Sequence, residues 1–432
     1  MTGPSDDALI NRTFWRLMPL AALCFVVGVI DKSNIGFAKL EMTHDLAMSE
    51  AVFGFGASLF FLAFMLCELP SALLGHRFGA RAWIARIMAT WGLTTVLLAF
   101  TASVPEFYGL RFALGVAEAG LYPTLLYYLT LWFPQAQQAR VSGFLLLGSA
   151  FGNGGGALIS GALLGMNGTF GLAGWQWIFL VTGALPLLTT ALVLRFLPDR
   201  PEHARFLSAQ ERARLAALVE ADKPRGRDER HVLAALADLR VLGFSFVYAL
   251  LGIALFGMIY WTPTAIRGFG VSGAVNGALT GAPWAITALL LVTVPARLKT
   301  RKAVLTSLTA TGLVGALAFA IAALYRAPEL RYTALVVGTP CISLSIAVFW
   351  ALPVRLFAGV HAAAAIAAIN VFGNLGGFIA QNLMPAAAKA GGGPGAAMWV
   401  PSLCLLAIGL GAMVVRGRRA TPQLSSPARR SS

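Results

Sequence analysis

Apolar runs of about twenty residues recur along the whole chain, each long enough to cross ~30 Å of hydrocarbon as an α-helix. Twelve stand out: 14–38, 52–74, 82–102, 106–132, 141–165, 176–197, 241–265, 276–298, 303–325, 332–357, 362–388 and 397–415. Only 12% of the 432 residues are charged and 58% are hydrophobic, against about 25% charged in a soluble domain. A large soluble core does not account for the deficit, because such a core must still be covered by polar surface. The expected fold class is therefore an all-α membrane protein with twelve transmembrane helices and the lipid bilayer as solvent. Gly and Pro inside the runs fit, since membrane helices tolerate both.

A formal charge of +15 would suggest a nucleic-acid partner in a soluble protein, but its placement argues otherwise. With the N-terminus inside the cell, Arg12, Arg16, Arg77, Arg81, Arg140, the basic stretch from Arg195 to Arg240, Arg297, Lys299, Arg301, Lys302, Arg416, Arg418 and Arg419 fall on the cytoplasmic side. That bias predicts a multi-pass protein of the cell inner (plasma) membrane with both termini cytoplasmic and no nucleic-acid partner. Asp6 and Asp7 precede the first run and no cleavage pattern follows it, so that run reads as an uncleaved helix. Cys24, Cys67, Cys341 and Cys404 lie in apolar runs without C-x-x-C spacing. They read as small core residues, and no metal or cofactor is expected.

The polar stretch 198–240 splits the chain into two sets of six spans. The expected organisation is an N-terminal six-helix bundle over 1–197, a cytoplasmic linker over 198–240, a C-terminal six-helix bundle over 241–416 and a disordered basic tail over 417–432. Ser208-Ala-Gln-Glu211, followed by Arg212, Leu215 and Leu218, is a capping box opening an amphipathic helix near the membrane. The halves repeat one another. Phe151-Gly-Asn-Gly-Gly-Gly156 returns as Phe372-Gly-Asn-Leu-Gly-Gly377, and the same offset of 221 residues aligns Arg140 with His361. Duplicated halves related by an axis along the membrane normal are the architecture of rocking transporters. Gly148, Gly152 and Gly156 share one helix face, which serves either plain close packing or a sliding contact.

Ionisable residues inside spans are costly and point to function. Asp31 and Lys32 lie in the first run, Arg111 and Glu118 in the fourth, and Glu68 nearer the cytoplasmic end of the second, beside Pro70. Arg111 and Glu118 are seven residues apart, hence on one helical face; Asn34 lies one turn from Asp31. Asp31, Lys32, Arg111 and Glu118 sum to zero charge, and such a set is buried only when paired. An incoming carboxylate would compete for Arg111 and Lys32, and an acid stripped of its partner in low dielectric takes up a proton. That is a physical route to anion–proton symport, with Arg111 and Lys32 as anion ligands and Asp31 and Glu118 as coupling acids. The competing reading is a static ion-pair network that locks the first span to the fourth. Glu68 reads as structural, near the cytoplasmic gate.

The second half has no acid within its spans. Arg355 and His361 read as helix-end residues. Neutral candidates facing a substrate are Tyr260, Trp261, Asn370, Asn374, Gln381, Asn382 and Trp350, with Asn370 and Asn374 one turn apart. The amides serve either as ligand donors or as interhelical glue, and Tyr260 and Trp261 either stack on a ring or anchor at the interface.

Several segments together resemble the anion:cation symporter family of the major facilitator superfamily. They are Asp31-Lys-Ser-Asn-Ile-Gly-Phe-Ala38, Gly75-His-Arg-Phe-Gly-Ala-Arg81, Arg111-Phe-Ala-Leu-Gly-Val-Ala-Glu-Ala-Gly120, Gly171-Leu-Ala-Gly-Trp-Gln-Trp177, Leu197-Pro-Asp-Arg-Pro201 and Asn370 to Phe378. That family includes phthalate, tartrate, 4-hydroxyphenylacetate, nicotinate and hexuronate permeases. The resemblance implies the major facilitator fold, Asp31 and Glu118 as proton-coupling acids, Arg111 as the anion ligand, and gating by Gly75, Arg77, Gly79 and Arg81. Glu68 and Arg140 are added to the gating set from their positions. Two departures stand out: Lys32 replaces the Arg usual after the first acid, and Pro295-Ala-Arg-Leu-Lys-Thr-Arg301 lacks the usual Ser-Asp pair.

The expected function is proton-coupled uptake of a small aromatic or hydroxylated carboxylate by a monomer. Alternatives are an exchanger or efflux carrier of the same fold, a hexuronate or sugar-acid permease and, distantly, a membrane receptor. No nucleophile–base pair, metal spacing or phosphate loop suggests an enzyme.

Overall fold

The computed structural model describes residues 6–221, 238–298, 300–357 and 360–417, and these form helices, turns and no strand. The expectations for 222–237 and for the tail beyond Gly417 lie outside the described residues, as do those for Lys299 and for the side chains of Arg355 and His361.

Helices fall on all twelve apolar runs. The first half contains α1 (Asp6–Asp45), α2 (Glu50–Phe78), α3 (Ala80–Leu98), α4 (Val104–Glu118), α5 (Leu121–Thr130), α6 (Gln138–Leu164) and α7 (Gly174–Phe196). After α8 (Ala209–Ala221), the second half contains α9 (Leu239–Arg267), α10 (Gly273–Thr293), α11 (Arg301–Leu324), α12 (Pro328–Trp350), the short α13 (Pro353–Leu356), α14 (Val360–Ala390) and α15 (Trp399–Gly417). Eight of these helices are long and apolar enough on their own to cross a membrane. Serines and threonines set several starts: Ser49 accepts from the Val52 amide, Ser103 from Glu106, Ser272 from Val275 and Thr300 from Ala303.

The run 106–132 is not one helix. It breaks after Glu118, where Gly120 takes φ 86° and ψ 2° in the left-handed region, and α5 restarts at Leu121. A glycine carries this conformation without the Cβ clash that other residues meet. Pro123, in the first turn of α5, gives up an amide that has no helical partner there. The freed backbone is tolerated because the break is buried in protein.

Two apolar cores form, one for each half. Residues from Leu9 to Leu215 build the first, joined by Tyr260, and residues from Val241 to Ala412 build the second. The helix α8 closes the first half. Ser208 and Glu211 cap reciprocally, the Ser208 amide donating to Glu211 Oε2 at 2.8 Å and the Glu211 amide to Ser208 Oγ at 3.3 Å. Leu215 and Val219 are buried, Glu211 pairs with Arg12, and Arg214 donates to both Asp6 oxygens at 2.9 and 2.7 Å. The amphipathic helix is thus fastened to the start of α1.

The halves meet along α2 with α14, α6 with α10, and α1 with α9. Gly154, Ala157 and Gly161 of α6 lie backbone to backbone against Gly281, Gly277 and Gly273 of α10, where a Cβ on either helix would strike the other. Gly148, Gly152 and Gly156, on another face of α6, receive Phe25, Val26, Val29, Ile30 and Ser33 of α1. The helix α6 is therefore small on two faces, one towards its own half and one towards the other. Gly54 of α2 seats Gln381 and Pro385 of α14, and Gly36 of α1 abuts the backbone of Tyr260. These contacts run from the end of the bundle that holds the α1–α2 turn to about mid-depth.

Replacing Gly120 by Val should cost more than the ~1–2 kcal/mol of the left-handed φ, because a Cβ there would also lie 2.6 Å from Ser71 Cβ, and lower the melting temperature in detergent. A Val variant that melts with the wild type would show that the break does not depend on glycine.

Candidate functional site

The charged residues of α1 and α4 converge where α4 breaks. Lys32 Nζ lies 2.7 Å from Glu118 Oε1. Glu118, the last residue of α4, is fully buried. Asp31 is 2% exposed and its Oδ1 accepts from Thr95 Oγ1 at 3.0 Å and from Asn34 Nδ2 at 3.2 Å. Asn34 also donates to Thr182 Oγ1 at 2.8 Å. Its amide is therefore spent on holding Asp31 between α1, α3 and α7. Asn34 thus supports the acid in this structure.

Arg111 is 2% exposed, yet its hydrogen bonding is poor. Nη2 reaches the Ala57 carbonyl at 3.3 Å, Nε has no partner, and the guanidinium lies over the Phe60 ring at 4.9 Å. Asp31, Glu118 and Tyr260 are its electrostatic neighbours. The Tyr260 hydroxyl comes from α9, in the other half, and lies buried with the Arg111 guanidinium as its polar neighbour. A buried guanidinium beside a phenol, across the seam between the halves, leaves the Arg111 Nε donor unfilled. A carboxylate placed there would accept from both.

Glu68 belongs to this centre more than to the helix end. It interacts with Lys32, and its Oε2 accepts from Asn374 Nδ2 of α14 at 3.1 Å. Asn374 is thereby committed to Glu68, and Asn370 lies half-buried one turn before it. Trp261, though adjacent to Tyr260, is not in the cluster. Its Nε1 donates to the Pro394 carbonyl at 3.0 Å and its ring carries the Lys39 ammonium at 3.9 Å. Successive helical residues point about 100° apart, so Tyr260 faces Arg111 and Trp261 faces Lys39.

Lys39 escapes the sequence reading although it is a buried cation two turns beyond Lys32. It pairs with Glu50 at 2.5 Å and approaches Thr264 Oγ1 of α9 at 3.5 Å. Near it Arg267 donates to the Leu40 carbonyl at 2.8 Å. Together they tie the halves at the α1–α2 end. Thr95 and Thr182 carried no signal, because threonines in apolar helices commonly bond back to their own backbone, as Thr182 also does to Ile178.

The gating candidates lie at the α2–α3 and α6 ends, each bonded within the first half. Gly79 turns the chain at φ 90°, and Gly75 packs against Thr124 and Trp83. Arg81 donates to the Leu194 carbonyl and pairs with Asp199 at 3.4 Å. Arg140 donates to Asn11 Oδ1 at 2.9 Å and covers Phe14 at 4.1 Å; Arg77 lies over Phe78 at 5.6 Å. Among the described residues no cluster suits a metal ion.

Breaking a buried ion pair by removing one partner costs about 3–5 kcal/mol, whereas removing both restores much of that loss. Lys32→Met and Glu118→Gln should each lower the melting temperature, and the double variant should lie above the lower of the two. Strictly additive losses would show that the pair contributes nothing.

The family model for the Major Facilitator Superfamily matches residues 21–381. A relative from Agrobacterium vitis named "Putative tartrate transporter" is 38% identical over 386 residues, covering 89% of this chain and 86% of that protein. The quinolone resistance transporter of Acinetobacter baumannii is 36% identical over 380 residues, covering 87% of each. Among solved structures, the partially occluded, inward-open xylose transporter XylE from E. coli aligns with a TM-score of 0.72 at 15% identity, over 93% of this chain and 98% of that one. Helices, halves, buried charges and relatives agree, and the chain belongs to the Major Facilitator Superfamily.

Proposed function

We propose that this membrane transport protein moves a small organic anion, a hydroxylated or aromatic carboxylate, in symport with protons. The observation that carries the reading is Arg111: a buried guanidinium with an unpartnered Nε, beside the buried Tyr260 hydroxyl across the seam. A carboxylate at that point takes up both donors and draws on the charge that Arg111 lends to Asp31 and Glu118. Those acids then take protons, and the loaded site closes without net buried charge. The negative interior of a cell opposes anion entry by ~2.3 kcal/mol per charge per 100 mV, and cotransported protons offset it. The tartrate-named relative supports a hydroxy acid as the substrate class.

The basic residues place both termini in the cytoplasm of an inner-membrane protein in this reading. The α1–α2 end, where Lys39, Glu50, Trp261 and Arg267 join the halves, is then the outer end, and the site opens inward. Gly75, Arg77, Gly79, Arg81 and Arg140 hold the cytoplasmic ends of the first-half helices as one body that rocks against the other. The carrier works as a monomer, since one chain contains both halves and the whole site.

A second reading has its own support: the 36% identical relative is a quinolone resistance transporter, which favours export. Proteoliposomes separate the two. With an imposed inward proton gradient, wild-type vesicles should accumulate labelled tartrate, Arg111→Ala should lose at least nine-tenths of the uptake, and Glu118→Gln should keep exchange while losing gradient-driven accumulation. Undiminished accumulation by Glu118→Gln would remove the coupling assignment. Proton-driven extrusion of a fluoroquinolone, without tartrate uptake, would replace uptake with export.

A further inference from the structure

The structure places three acids, not two, around the two bases of the centre: Asp31, Glu68 and Glu118 around Lys32 and Arg111. With every group ionised that set carries one negative charge in excess. Tyr260 and Tyr248 also face it, the first beside Arg111 and the second beside Glu68, and Asn374 is the neutral partner from α14. One proton makes the set neutral.

We infer that Lys32 is a mobile cation and that Glu68 is its second partner, taken up when Glu118 is protonated. The path is already laid out. The Lys32 ammonium pairs with Glu118 at 2.7 Å while lying over the Phe64 ring at 4.7 Å. Phe64 is four residues before Glu68 on α2, so their Cβ atoms are neighbours about 6 Å apart on one helix face. A lysine stem with four rotatable carbons spans that step by changing rotamers, and the aromatic face stabilises the cation midway. Proton in, Glu118 becomes a neutral acid and releases the ammonium; Lys32 moves along Phe64 to Glu68; proton out, it returns. The only bond made or broken is the O–H of Glu118; the set is neutral with the proton in and carries one negative charge with it out.

The second station touches the other half. Glu68 Oε2 accepts from Asn374 Nδ2 at 3.1 Å, and α2 and α14 form one of the seams between the halves. An arriving ammonium takes up the remaining acceptor capacity of a carboxylate that already accepts from Asn374, so the second station lies at a contact between the halves. Glu68 is thus a positioning residue for the coupling acid. This deepens the symport reading and rests on it for its transport meaning, but the charge exchange can be tested without any substrate.

The test is a pH titration of the protonated carboxyl C=O band by difference infrared spectroscopy, on the purified full chain in lipid vesicles. A band lost in Glu118→Gln marks that acid. In Glu68→Gln, loss of the negative charge should move the midpoint of the band down by about one pH unit, a tenfold weaker proton affinity. Glu68→Asp should restore it, and Asn374→Ala, which removes the bond between halves but keeps the charge, should leave it in place. An unmoved midpoint in Glu68→Gln would overturn the inference. So would an equal shift in Asn374→Ala, which would reduce Glu68 to interhelical packing. Tartrate uptake is scored separately. An infrared result as expected with no proton-driven uptake would sink the symport reading and leave the charge exchange standing; the reverse pair of results would do the opposite.

Discussion

A charge surrounded by helices in a hydrocarbon slab has no water to turn to, so each one present must find a partner within the protein. That requirement organises the centre of this molecule. Lys32 meets Glu118, Asp31 collects hydrogen bonds from Thr95 and Asn34, and Glu68 takes one from Asn374. Arg111 alone in this group is left with a backbone carbonyl at 3.3 Å, an aromatic face and an unpartnered Nε. The charges all belong to α1, α2 and α4, within one half, while the other half contributes the neutral Tyr260 and Asn374. Ion pairs confined to one rigid body survive rocking between bodies. Between the halves lies a weaker set of contacts: an amide, a phenol and the glycine seam.

The seam suits that use. Gly154, Ala157 and Gly161 against Gly273, Gly277 and Gly281 bring two backbones together with almost no side chain between them. Such a contact is held by many small dispersion terms and by no single strong bond, so it separates without stranding a buried polar group. Lys39 is the exception. Its ammonium pairs with Glu50 in its own half and lies on Trp261 of the other. Opening this end strips away the aromatic face but leaves the ion pair, a loss of about 0.5–2 kcal/mol for a cation–π contact. The closed end is therefore latched lightly.

Much of the fold was legible because lipid imposes a length on each span. The twelve runs and the capping box at Ser208 follow from local rules, and helices fall on each run, although α1 reaches Asp6 and Asp45, well beyond 14–38. The break at Gly120 was not legible, since a glycine in a membrane helix is ordinary and the left-handed turn is fixed by what packs around it. In the site, Asp31, Arg111, Glu118 and Lys32 were visible as charges in the wrong solvent, and they do converge. Asn34 and Trp261 were assigned from neighbourhood in sequence, and geometry separates them: one amide is spent on Asp31 and Thr182, and one indole points to the end of the bundle. Glu68 was read by its distance along α2. Its place in the network depends on how α2 leans against α14 and α1, and no periodicity encodes that lean.

The two bases of the centre differ in kind, and the difference makes sense of a lysine at position 32. Arg111 is planar, stacked on Phe60 and tethered to the Ala57 carbonyl, a fixed fork suited to a fixed recognition point. An arginine at position 32 would present a second fork, and a bidentate grip on Glu118 would bind the acid and the base as one unit. Lysine is a point charge on a flexible stem with three equivalent donors, able to leave one carboxylate for another without reorienting a plane. Glu118 on one side and Phe64 with Glu68 on the other give that point charge two places to rest. The symport proposed above asks for one cation that stays with the anion and one that moves with the proton, and in that reading Arg111 and Lys32 divide those tasks between them.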